Sequence, residues 1–214
     1  MAQTRSKPAD LNHTNNGKRR PGRPRSEQSR HAILRSTLKL LKQQGGFSTL
    51  SIEAIAADAN ASKATVYRWW PDKAALVADA FAESADRELQ FPDTGSLLAD
   101  MRLQMRRLIR IFRSPRGKIV AALLAGGQSD PQLLNAFRER FMWPRRRQAY
   151  KTLQRGVDRG ELPRGSKFDL ILDSLYGAIY FRFLIQHDDL REEFADQLCH
   201  LVLVRNKQGR AVSR

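Results

Sequence analysis

A single cysteine, Cys199, serves the whole chain. One thiol excludes an intrachain disulfide and any metal site built from several cysteines. Long apolar runs are missing as well. No stretch approaches the ~18 consecutive apolar residues of a membrane span, and the N-terminus lacks the apolar core of a secretion signal. These absences lead us to expect a cytoplasmic protein with no membrane partner. Histidine is scarce: His13, His31, His187 and His200 are scattered, and His13 falls in a polar tail. No Gly-rich phosphate loop, nucleophile elbow or metal-spaced cluster occurs, so the chain is not expected to be an enzyme, to bind a metal or to need a cofactor. His187-Asp188-Asp189 is the one place a cation could sit, though an acidic turn after a helix is more often simply solvated. Cys199 beside His200 invites a redox reading, against the plainer one of a small apolar residue on a packed helix.

What is present is positive charge and helical period. The 214 residues carry 38 Lys or Arg against 22 acids, a net charge of +16, and so favour polyanionic partners. Hydrophobic residues make up 41% of the chain, enough for a core. The charge is unevenly spread. Residues 1 to 30 hold eight cations and two acids, residues 31 to 90 hold seven of each, and the remainder supplies the rest of the excess. No alternating strand pattern of useful length appears, which predicts an all-α fold.

Residues 48 to 76, STLSIEAIAADANASKATVYRWWPDKAAL, carry the most information. Ile52, Ile55, Ala56 and Ala59 repeat at i, i+3, i+4 and i+7, one apolar face of a helix. Ser51 can cap its first turn, and a helix N-terminus there favours an anion. Asn60 tolerates the left-handed conformation that reverses the chain. Ser62 caps a second helix, whose inward residues are Val66 and Trp70. Lys63, Ala64, Thr65, Tyr67 and Arg68 then face outward, small or hydrogen-bonding groups suited to a DNA groove. This is a helix-turn-helix.

The stretch IEAIAADANASKATVYRWWPDKAALVADAF resembles the DNA-binding domain of the tetracycline-repressor-like (TetR) transcriptional regulators. The similarity runs from about Ser26 to Phe81, with Asn60 where the family usually has Gly and Ala61 where it has a bulky aliphatic. The resemblance implies that Lys63, Thr65 and Arg68 contact bases or nearby phosphates, that Tyr67 contacts a phosphate, and that Lys73 touches the backbone. Ser51 and Ser62 join them as residues of the DNA surface. It further implies a dimeric regulator of double-stranded DNA with a near-palindromic operator, acting as a repressor released by a small-molecule effector. Two other classes stay open: an architectural DNA-binding protein dominated by its basic arm, and a ligand-binding or enzymatic protein whose helix-turn-helix is vestigial.

The rest of the chain divides around these helices. Residues 1 to 25 read as a disordered basic arm, polar and without apolar period. Within it Arg19-Arg20-Pro21-Gly22-Arg23-Pro24-Arg25 is AT-hook-like, with Arg20, Arg23 and Arg25 drawn to a narrow minor groove; a generic arm touching phosphates is the alternative. Residues 26 to 90 form the DNA-binding domain, and PDTGS at 92 to 96 marks the boundary. Residues 96 to 205 form a larger helical domain for ligand binding and dimerisation, followed by a basic tail at 206 to 214. Pro144 should kink or split the long segment that Asp130 caps. FDLILDSLYGAIYFRFLI, at 168 to 185, is too apolar on all sides to face water, so it and residues 192 to 204 should pair across a two-fold axis. Phe137, Phe141, Trp143, Tyr176 and Tyr180 are the candidates for an internal ligand cavity.

Overall fold

The computed structural model describes residues 23–44 and 46–204, and over these the chain is helical with irregular connections. Helix α1, Arg23–Gln44, begins three residues before Ser26, where the DNA-binding domain was expected to start. The last three residues of the basic arm are therefore its first turn, not extended chain. Pro24 makes this possible, because its fixed φ suits a first turn where a missing N–H goes unused. Residues 1 to 22, with Lys18, Arg19 and Arg20, and the basic tail from 205 onward lie outside the described residues.

The next three helices follow from their caps. Ser51 accepts from the Ala54 N–H at 3.1 Å and opens α2, Ile52–Asp58, whose Ile52, Ile55 and Ala56 turn inward. Asn60, at φ 50°, takes the left-handed conformation that reverses the chain. Ser62 accepts from the Thr65 N–H at 3.1 Å and opens α3, Lys63–Trp69. Asp72 accepts from the Ala75 N–H at 2.7 Å and opens α4, Lys73–Asp86. Each such cap contributes about 1 kcal/mol. Val66 and Trp70 sink into the core, Trp70 to 1% exposure.

Beyond α4 the chain crosses to α5, Leu97–Arg113, through a connection that is clamped in place. Thr94 donates its N–H and hydroxyl to Asp100 Oδ1 at 2.7 and 2.8 Å, and Arg155 Nη2 donates to the Pro92 carbonyl at 3.0 Å. Asp100 is fully buried, with the guanidinium groups of Arg155 and Arg159 at 3.8 and 4.0 Å from Oδ2. Helices α6, Pro115–Ser129, and α7, Pro131–Phe137, each open on a proline behind a capping Ser114 or Asp130. In α6 only one face is buried, through Ile119, Val120 and Leu123, so the apolar run from 118 to 125 is not wholly interior.

The predicted interruption before Pro144 takes the form of a π-helical turn, Arg138–Met142, in which the Trp143 N–H donates to the Arg138 carbonyl. Pro144 has no N–H for the Arg140 carbonyl, and a widened turn absorbs that loss. Helix α8, Trp143–Asp158, follows, then α9, Phe168–Ile185, and α10, Glu192–Cys199, which runs into a second π-helical turn, His200–Val204. The core is continuous between the two halves. Phe81 of α4 meets Phe137 and Phe141, with ring centroids 6.4 and 4.8 Å apart.

Helix α9 has two apolar faces with different fates. Ile171, Leu172, Leu175 and Ile179 are buried, while Leu170, Phe181, Leu184 and Ile185 are exposed, Leu170 at 66% and Phe181 at 59%. Ser174 and Gly177 lie between them, also exposed. Spacings of four, three, four and three or four keep these residues on one stripe along the helix.

Candidate nucleic-acid interface and interior cavity

Helix α3 turns Lys63, Ala64, Tyr67 and Arg68 to solvent, with Thr65 half-exposed beside them. This side chain set forms one face because positions 63, 64, 67 and 68 fall within one arc of a 3.6-residue helix. Tyr67 is 52% exposed, an unusual setting for a large ring. Lys63 pairs with Glu53 of α2, which holds the ammonium above its ordinary pKa and the carboxyl below its own. Both groups lie at the surface, so a phosphate can exchange for the carboxylate readily. The Thr65 hydroxyl lies 2.9 Å from Ser62 Oγ, which already caps the helix. Ser51 and Ser62 thus spend their oxygens on helix ends, and Thr65 keeps a second hydrogen-bonding direction.

Lys73, at the start of α4, is tied into the fold. Its ammonium donates to the carbonyls of Phe47 and Leu50 at 2.9 and 2.8 Å and stands 4.3 Å from the centroid of the Phe47 ring. Two of its three donors tie the loop before α2 to the start of α4. The acceptors are carbonyls of the turn between α1 and α2, and a flexible four-carbon stem reaches them. Arg20 lies outside the described residues. Arg23 and Arg25 stand at the start of α1.

The second half holds a cavity of about 410 Å³, open to solvent beside Asp173 and Gly177. Phe137, Phe141, Tyr176 and Tyr180 all line it. Trp143 does not. It lies two residues past Phe141, about 200° round a helix, and is 38% exposed. Arg145, four past Phe141, lines the cavity instead, together with Leu89, Gln104, Leu108 and Leu124. Burial raises the phenols of Tyr176 and Tyr180 above the ordinary tyrosine range, so both are neutral donors. The arginines of the wall are paired. Arg145 donates to the Leu89 carbonyl and to Asp86, both at 2.8 Å, and Arg146 bonds Asp173 at 2.8 Å and Asp169 at 3.2 Å.

Sequence reasoning missed Gln104 and Arg145, which occupy helix faces rich in apolar neighbours, and it missed the contacts that join this cavity to the reader. Asp79 of α4 accepts from Trp70 Nε1 at 2.8 Å and from Arg140 Nη1 at 2.6 Å. Arg140 belongs to the π-helical turn, next to cavity-lining Phe141. Trp70 ends the reading helix. A hint was available: Asp79 interrupts the Ala-rich buried face of α4.

Other candidates lose their chemistry here. Asp188 faces Arg182 at 3.1 Å and Asp189 takes the guanidinium of Arg191, so the carboxylates after His187 are committed to cations. Among the described residues no group of three His, Cys, Asp or Glu is placed to hold a metal ion. Cys199 is buried, and burial pushes its thiol up to about 12, which leaves it inert at neutral pH. No described helix is long and apolar enough to cross a membrane.

Comparison with known proteins agrees with this geometry. Residues 33–80 match the family model for bacterial regulatory proteins of the tetR family, and residues 91–202 match the tetracyclin repressor-like C-terminal domain. The HTH-type transcriptional regulator YdeS of Bacillus subtilis is 37% identical over 83% of this chain and 89% of its own. A regulator of the same type from Mycobacterium tuberculosis is 36% identical over 72% of this chain and 75% of its own. Among solved structures, the TetR family transcription regulator SCO0332 superposes with a TM-score of 0.73 at 31% identity, covering 83% of this chain and 97% of that one. The flavonoid-responsive regulator FrrA superposes with a TM-score of 0.64 at 25% identity, over 86% and 97%. With a reading helix matched at one end and the matched C-terminal domain holding a cavity at the other, this chain belongs to the TetR family of helix-turn-helix transcriptional regulators.

Proposed function

We propose that this regulator works as a homodimeric repressor, and that a small molecule held in the interior cavity releases it from a near-palindromic operator. The observation that carries the reading is the Arg140–Asp79–Trp70 relay. One wall of the cavity, the π-helical turn around Phe141, is hydrogen-bonded through a single carboxylate to the end of the reading helix. A ligand that shifts this wall shifts α4 and α3 with it. Ligand and DNA then favour different conformations, and each weakens binding of the other. That FrrA responds to flavonoids supports a small-molecule effector here.

Dimerisation follows from the exposed stripe of α9. Leu170, Phe181, Leu184 and Ile185, with Leu201 beyond α10, are large apolar residues in contact with water in the single chain. Soluble proteins rarely leave such patches uncovered. Packing the stripe on its own copy about a two-fold axis gives a four-helix interface. The DNA surface of this reading consists of Lys63, Thr65, Tyr67 and Arg68, with the arm at 18 to 25 beside the groove.

Sedimentation tests the assembly, and footprinting tests the site. Wild-type protein should sediment as a dimer at micromolar concentration, whereas Phe181→Glu should sediment as a monomer of unchanged helix content. Protection should cover two half-sites about one helical turn apart. A wild-type monomer, or a single asymmetric footprint, overturns the dimeric reading.

A further inference from the structure

Helices α2 and α3 carry four charged residues, Glu53, Asp58, Lys63 and Arg68. The two acids are used differently. Asp58 turns toward α1 and accepts from Lys39 Nζ, away from the reading helix. Glu53 instead pairs with Lys63, the first residue of α3, and its side chain is 61% exposed. Tyr67 stands one turn further along that face of α3. The Glu53–Lys63 pair therefore bridges the two helices on the side that meets DNA.

A carboxylate is a poor neighbour for a phosphate backbone. It lowers attraction for every sequence alike, and losing Lys63 to a phosphate would leave it facing DNA with no donor. Base edges in the major groove supply the donors it needs. These are the N4 amino group of cytosine and the N6 amino group of adenine. Adenine sets its N7 acceptor beside that amino group, which repels a carboxylate. Cytosine is paired with guanine, whose O6 and N7 are acceptors suited to an ammonium. An acid and a cation held side by side thus match the edge of one C·G pair. The ion pair can enter the groove whole, with neither charge left bare.

We propose that Glu53 and Lys63 act together as the specificity determinant for one C·G base pair of the operator, Glu53 accepting from cytosine N4 and Lys63 donating to guanine O6 and N7. This rests on the helix-turn-helix alone and is independent of the effector and of how many copies bind.

The test selects bound duplexes from a random pool with the full chain, as wild type, Glu53→Gln, Glu53→Ala and Lys63→Ala. Low salt keeps binding measurable when one cation is removed. Circular dichroism establishes that each variant keeps its helix content, and isosteric Glu53→Gln decides the matter if Glu53→Ala melts early. One C·G position should be prominent with wild type and absent with Glu53→Ala and Lys63→Ala. With Glu53→Gln it should turn toward adenine, whose N6 and N7 together suit an amide. Fluorescence anisotropy on the selected duplex gives the magnitude. Exchanging that C·G pair for T·A should weaken wild type about 5- to 150-fold and Glu53→Ala less than about twofold. Identical selections from wild type and both Glu53 variants overturn the proposal. Uniformly tighter binding by Glu53→Ala with the same preferred bases also overturns it, and would make Glu53 a repulsive charge only. A position lost with Glu53→Ala but kept with Lys63→Ala overturns the paired reading and leaves the carboxylate reading cytosine alone.

Discussion

Thr65 holds a position between two tasks. Its hydroxyl lies 2.9 Å from the capping oxygen of Ser62, and it stands on the exposed face of α3. Thr65→Ala should cost about 1–3 kcal/mol at one base position of the operator, with little change in salt dependence, because no phosphate cation is removed. Binding selections with the variant would show relaxed preference at that position alone, and an unchanged profile would mean Thr65 reads no base. Cys199 makes the opposite kind of prediction. With its thiol buried and pushed up to about 12, it should resist iodoacetamide at pH 8 in the folded protein and react in denaturant, as read by mass spectrometry. Rapid labelling of the native chain would restore the redox reading.

At the scale of elements, the π-helical turn and α4 share one carboxylate. Asp79→Asn keeps the size of the side chain but loses the charge that holds Arg140, so it should weaken the effect of ligand on DNA affinity more than DNA affinity itself. Titrating duplex with and without effector measures this coupling, and a full-strength response from the variant would exclude the relay. Much of the architecture was legible because helix ends depend on local chemistry. Ser51, Ser62, Asp72 and Asp130 stand just before helices and accept from N–H groups two or three residues on. Asn60 and Pro144 mark their breaks by backbone preference alone. The start of α1 was not legible, since a proline both opens helices and favours extended chain. The hydrogen bonds of Lys73 were not legible for a different reason. Its acceptors lie 26 and 23 residues earlier, and nothing in a lysine reveals which anion or carbonyl it will meet. The same holds for Arg145, one of three consecutive arginines, whose inward turn depends on the Leu89 carbonyl 56 residues away.

For the whole molecule, the distribution of charge decides how DNA is first approached. Residues 31 to 90 are balanced, so long-range attraction should owe much to the basic segment ahead of α1. Deleting residues 1 to 22 leaves every described helix intact and removes Lys18, Arg19 and Arg20. Each neutralised phosphate contributes about −0.9 to the slope of log K against log salt, so the slope should shrink by roughly 2 to 4 per dimer. An unchanged slope in titrations at several salt concentrations would show that the segment does not engage DNA. The uncovered stripe of α9 has a consequence in a different currency, that of gene dosage. On the dimeric reading proposed above, a reader that must pair before it can grip two half-sites fills its operator in proportion to the square of its own concentration while chains remain mostly single and the operator mostly empty. Halving the number of chains per cell would then cut occupancy about fourfold, by mass action alone, and the regulated promoter would respond to the copy number of its regulator more steeply than any single contact with DNA requires.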